Sequence, residues 1–189
     1  MRALLLLAVS CALATAAAGC GGSDGATSFS GTSPDAWAAT VCGGLSEWTQ
    51  SLRADSQMLS AGIAGGGNLK TARSKLVLYL QHAEQNTRKM HEKVRSAGAP
   101  AVKDGEAIQH ELEAGLKRAE TSFEQARAKA KKLPTDDSQG FFKGFLALGQ
   151  DVQTELTSTG RAFDGLSDKY DAKELNEAVA KQPACKELG

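Results

Sequence analysis

The sequence predicts an all-α protein: an up-down four-helix bundle with a short C-terminal fifth helix tied back by a disulfide. Three observations carry this. Apolar residues recur at steps of three, four or seven through four long stretches, the spacing of a single buried helical face. Ala and Leu dominate the apolar share, aromatics are only 5%, and β-branched runs are absent, a composition that favours helix over sheet. The four stretches are alike, roughly 30 residues or about 45 Å each at ~1.5 Å per residue. Their connections are short, so neighbours should pack antiparallel.

The first helix begins at Ser33-Pro34-Asp35. Ser is a good N-cap, Pro suits the first helical position, and Asp favours the positive end of the helix dipole. Its stripe is Trp37, Val41, Leu45, Trp48, Leu52, Leu59 and Ile63, and the run AGIAGGGN at 61–68 breaks it. The second helix follows an Asn68 cap, with the stripe Leu69, Ala72, Leu76, Leu80, Ala83, Thr87, Met90, Val94 and Ala97. Gly98-Ala99-Pro100 ends it, with Gly as the stop and Pro beyond.

The third helix starts near Pro100 or after Asp104 and carries Ile108, Leu112, Leu116, Ala119, Phe123, Ala126, Ala130 and Leu133. Charges fill its other faces, with Glu113 one turn before Lys117. The fourth follows LPTDDS, where Asp136-Asp137 complements a helix N-terminus. Its expected stripe is Phe142, Phe145, Gly149, Val152, Leu156, Thr159, Phe163, Leu166 and Tyr170. Gly144, Gly149, Gly160 and Gly165 each weaken it by up to ~1 kcal/mol relative to Ala, so bending or fraying is expected there. A short fifth helix is predicted from Asp171, with Glu174 completing a capping box, to about Lys181; Pro183 then leads into Cys185.

The chain begins with a leader. Met1-Arg2 precedes an uncharged apolar run, ALLLLAVSCALATAAA, at residues 3–18. That run is shorter than the ~20 residues of a membrane span and suits a secretory signal. Ala17-Ala18-Gly19-Cys20 resembles the bacterial lipobox, which would make residues 1–19 a lipoprotein signal peptide and Cys20 the lipidation site. Two other readings stand beside it: plain cleavage after Ala16 or Ala18, and lipid on Cys11 after Ala8-Val9-Ser10. Cysteine parity favours Cys20. Plain cleavage leaves Cys20, Cys42 and Cys185, an odd number in an exported protein; acylating Cys20 leaves Cys42 and Cys185 as a pair.

The topology agrees with that pairing. Cys42 lies about two turns into the first helix, and a terminal helix folding back beside it delivers Cys185. A Cys42–Cys185 disulfide would contribute up to ~5 kcal/mol in the chain-entropy model. Residues 21–33, GGSDGATSFSGTS, read as a flexible linker, spanning roughly 20 Å on average. The organisation is thus signal at 1–19, lipidated Cys and linker at 20–33, and helical domain at 34–189. The expected setting is the extracytoplasmic face of the cell membrane, held by acyl chains.

Three segments carry a resemblance: WAATVCGGLSEWTQSL (37–52), SAGAPAVKDG (96–105) and PACKELG (183–189). With the leader they resemble small helical lipoproteins of high-GC Gram-positive bacteria. That resemblance implies export, lipid anchoring and a disulfide-tied helical domain, and it brings no activity and no catalytic residue.

Basic and acidic residues number 22 each, so the chain has no electrostatic reason to bind nucleic acid. His82, His91 and His110 form no helical ligand pair, and no HExxH is present. The Gly-x-Ser-x-Gly match at Gly21-Gly22-Ser23-Asp24-Gly25 lies in the linker run without the strand of a nucleophile elbow, and no Ser-x-x-Lys constellation occurs, so neither supports a serine enzyme. The run GGG at 65–67 lacks the strand and lysine of a phosphate loop. No enzyme activity, cofactor or metal is expected. The leading expectation is a binding or scaffold module for another envelope protein or the wall. The alternative is a small-molecule or lipid binder using a groove between helices, with Trp37, Trp48, Gly115 and Gly149 as candidate lining residues.

Overall fold

The computed structural model describes residues 29–64 and 68–186. The predicted leader, both anchor candidates Cys11 and Cys20, most of the predicted linker and the glycine run at 65–67 lie outside them. The described residues form seven helices: α1 (Pro34–Ala64), α2 (Leu69–Ala97), α3 (Gly105–Ala130), α4 (Ser138–Asp164), α5 (Leu166–Lys169), α6 (Lys173–Lys181) and α7 (Pro183–Lys186). The long helices pack in chain order, α1 on α2, α2 on α3 and α3 on α4, and the C-terminal α6 and α7 fold back on α1. The fold is the expected helical bundle. Its fourth seam is distinctive: the backbones of α1 and α4 approach each other far less closely than those of the other neighbours.

Local chemistry explains the helix ends. The Asn68 side chain accepts the Thr71 amide at 2.9 Å and starts α2. Gly98, at φ 68°, ends it in a conformation that costs a side-chain-bearing residue energy. The α2–α3 turn is clipped to the segment entering α1, for Thr32 N donates to Ala99 O at 2.8 Å and Ala101 N to Thr32 O at 2.7 Å. Of the two starts considered for the third helix, the later one holds. Asp104 sits at φ 60° just before Gly105, where a Cβ would collide with the Pro100 carbonyl.

Two expected boundaries move. The fourth helix ends at Asp164 instead of continuing to Tyr170; Gly165 breaks it and α5 follows as a separate turn. The predicted fifth helix corresponds to α6, which starts at Lys173, and its N-cap, Ala172, makes no side-chain cap bond, so the capping box expected from Asp171 and Glu174 does not form.

The buried face of α4 also differs from the expected stripe. Phe141, Leu148 and Thr159 are buried, with Phe145, Val152, Leu156 and Phe163 partly so, whereas Phe142 is 52% exposed. The true face begins one residue earlier, at Phe141, and steps by four and three to Phe145, Leu148 and Val152. Phe142 stands edge-to-face against Phe141 with centroids 5.7 Å apart, so its inner edge is covered and its outer face is not.

The core has two parts. Near the α2–α3 turn, Trp37, Val41, Val94, Ile108, Leu116 and Leu175 form one cluster. Toward the opposite end, Leu76, Leu80, Phe123, Ala126, Phe141 and Leu148 form the other. No helix among the described residues is long and apolar enough to cross a membrane.

Candidate functional site

The first core cluster is not solid. A cavity of about 360 Å³ opens between α1, α3, the end of α4, and α6. Trp37, Val41 and Leu45 line it from α1, Ile108 and Leu112 from α3, Phe163 from α4, and Leu175 and Val179 from α6. These positions follow from helical period: Trp37, Val41 and Leu45 are one turn apart on α1, as are Leu175 and Val179 on α6. Asn176 is the one polar side chain in the lining. The volume falls within the usual range for small-ligand sites, and such sites are mostly apolar with a few placed polar groups.

The disulfide forms one edge of this cavity. Cys42 and Cys185 are bonded, with Cα atoms 5.0 Å apart across a separation of 143 residues, and both line the space. The expected pairing is therefore present, and the bond fixes α7, and through it α6, against α1.

The Trp37 indole is held from below. It donates to the Gly98 carbonyl at 2.9 Å and to Gln109 Oε1 at 3.2 Å. Gln109 in turn donates to Val94 O at 2.7 Å. A buried indole N–H needs such partners, and here they orient the ring toward the cavity while tying α1 to the α2–α3 turn.

The outer rim is polar. The Tyr170 hydroxyl donates to Glu111 Oε1 at 2.9 Å, and Lys169 pairs with the same oxygen while its ammonium lies 5.1 Å from the Tyr170 ring centroid. The Lys169 bond, chiefly, holds the Glu111 carboxyl below its ordinary range. This cluster pins α5 and the Tyr170 turn to α3.

The four sequence-derived candidates do not share one site. Trp37 lines the cavity. Gly115 is a packing residue, since a Cβ there would meet a Phe163 ring carbon at 3.3 Å. Trp48 sits at the α1–α2 seam, where its indole donates to Thr87 Oγ1 at 3.0 Å. Gly149 lines a second, smaller apolar cavity of about 200 Å³ at the other end of the α1–α4 seam, with Leu59, Tyr79, Phe145 and Val152. Its own surroundings are open, with nothing within 4 Å of an added Cβ. Leu112, Phe163 and the α6 residues escaped sequence reasoning, because each lies on an apolar stripe and periodicity does not separate a packed position from one facing a void.

The remaining titratable groups serve the bundle. Glu84 and Glu120 are buried between α2 and α3; Arg88 bridges them at 3.0 and 2.9 Å. Arg127 reaches Glu84 at 3.0 Å and Lys117 reaches Glu120 at 3.3 Å. Burial opposes the Glu120 charge, yet hydrogen bonds from Arg88 and Lys117 together outweigh it and hold that carboxyl below its usual range. His82 stands 3.6 Å from Asp55, and His91 3.9 Å from Glu120. Desolvation, then the Asp55 charge, raises the Tyr79 hydroxyl. Among the described residues no three His, Cys, Asp or Glu side chains group as metal ligands would.

Comparisons of the chain with protein-family models, with curated proteins and with solved structures find no match.

Proposed function

We propose that this chain is a lipoprotein anchored through Cys20 at the extracytoplasmic face of the cell membrane, and that its bundle is a binding module for a small apolar ligand. The observation that carries the binding reading is the 360 Å³ cavity beside the disulfide, walled by apolar side chains from four elements. The leader, the lipobox-like Ala17-Ala18-Gly19-Cys20 and the cysteine pairing support the location. Two acyl chains on Cys20 suffice to hold a domain at a bilayer.

Thermal-shift and Trp-fluorescence screening against envelope lipids and polar metabolites tests the ligand. The expected result is a shift with apolar compounds and none with the polar set; no shift with either overturns the reading. Labelled palmitate tests the anchor: incorporation should be lost in Cys20→Ala and kept in Cys11→Ala, and its retention in Cys20→Ala would refute the assignment.

A second reading, a scaffold for another envelope protein, draws on Phe142 and Leu146. They lie one turn apart on α4 and are 52% and 63% exposed. Crosslinking from native envelopes should capture one specific partner through this face, and no capture counts against it.

A further inference from the structure

The apolar cavity adjoins a second, more open concavity that carries charged side chains. Ala172 and Asn176 line both. On the far side of these two residues, Lys169 (paired with Glu111), Asp171, Lys173 and Glu177 line an open dish on α5 and α6 together with Tyr170 and Ala180. Two cations and two carboxylates therefore lie beside a space whose lining carries no charged side chain. Lys173 is 81% exposed, and its nearest carboxylate, Glu177, is 3.9 Å away, a loose exposed pair that a ligand can enter at little cost.

From this juxtaposition we infer that the ligand is a single-chain zwitterionic amphiphile of the lysophospholipid class. Its acyl tail lies in the cavity against Trp37, Leu45, Phe163 and Val179. Its headgroup rests on the dish, with Lys173 at the phosphate, Glu177 and Asp171 at the cationic end, and the Asn176 amide at the glycerol or ester between. The size agrees: 360 Å³ accommodates about twelve methylene groups if each fills roughly the ~30 Å³ of a liquid water. A second chain of that length has no room. A purely apolar molecule would leave the charged side chains of the dish unused, and a polar metabolite would leave the cavity walls without a partner.

The inference rests on the cavity being a binding site, and the experiment separates the two claims. The intact, oxidised protein is titrated below the critical micelle concentration with three probes. These are a neutral apolar dye (N-phenylnaphthylamine), myristoyl lysophosphatidylcholine and glycerophosphocholine. The dye should bind, the lysolipid should displace it, and the headgroup alone should not. A brominated acyl chain should quench Trp37 emission in a Trp48→Phe background. Val179→Phe, which fills the cavity from a half-buried position, should weaken dye and lysolipid alike by tenfold or more, with its melting curve reporting that the fold persists. The Lys173→Ala, Glu177→Ala double variant, altered only at exposed positions outside the cavity lining, should weaken the lysolipid about fivefold and leave the dye unchanged. Failure of the dye to bind overturns both the site and the ligand class. Dye binding without displacement by the lysolipid, or equal weakening of both by the double variant, overturns the amphiphile and leaves the site standing.

Discussion

The seam between α2 and α3 and the seam between α1 and α4 solve the same packing problem in opposite ways. Across the first, Leu80, Ala83, Leu116, Ala119 and Phe123 are nearly or wholly excluded from solvent. A four-cornered ion network of Glu84, Glu120, Arg88 and Arg127 runs along its edge. Across the second, the walls are apolar, the backbones stand apart, and cavities of about 360 and 200 Å³ remain. The first seam is held by complementary packing and paired charge, which specify register as well as stability. The second is held by a clamp: α6 and α7 lie over its open end and the Cys42–Cys185 bond secures them. Under the proposed binding role, a ligand occupies the second seam without loosening the first.

Side-chain truncation breaks the comparison most directly. Phe123→Ala should cost about 3–5 kcal/mol, the range for emptying a buried aromatic site. Leu45→Ala, at the wall of an existing cavity, should cost about 1 kcal/mol or less. Denaturant melts of the two variants check this, and equal losses would mean that the seams are equally packed.

Acid should act unequally as well. Because the folded-state pKa of Glu120 is lowered, its contribution to stability is whole above the unfolded value of about 4.3. It is lost as pH falls through the lower folded value. Glu120→Gln should therefore reduce stability near neutrality and flatten the acid limb. Unfolding free energies measured across pH 2–6 check this; an unchanged slope would remove Glu120 from the account.

Legibility in the sequence followed the same division. The first two helices could be read because their ends rest on local chemistry: Ser33 and Pro34 starting α1, Asn68 capping α2 and Gly98 turning the chain. For the third, the sequence leaves two starts open, and the fit of Gly105 beneath Pro100 decides between them. The disulfide could be read because topology and parity agreed. On α4 the expected stripe matches at Phe145, Val152, Leu156, Thr159 and Phe163 and misses by one residue at Phe142 and Gly149, where Phe141 and Leu148 are buried. Phe141 and Phe142 are adjacent, both begin a three-and-four pattern, and period alone cannot say which faces inward. What covers α1 could not be read in detail, since the α6 contacts depend on where Gly165 and the Tyr170 turn redirect the chain. The cavity was legible only through Trp37 and the two candidate glycines, Gly115 and Gly149. Of these, Gly115 proved to be a close contact, whereas Gly149 faces open space.

That last difference yields the smallest prediction. Gly149→Ala should stabilise the protein by roughly 0.5–1 kcal/mol, since the helix gains propensity and nothing obstructs the new methyl. A thermal melt checks it, and a loss of stability would show that the α1–α4 seam is tighter than described.

Hydrogen exchange of the intact protein, with and without reductant, tests the clamp itself. Reduction of Cys42–Cys185 should speed exchange in residues 173–186 and in the first turns of α1, where the C-terminal helices lie. The α2 and α3 amides around residues 83–94 and 112–126 should keep their protection. A uniform loss of protection across all helices, or no change at α6, would contradict an accommodating seam secured by the disulfide.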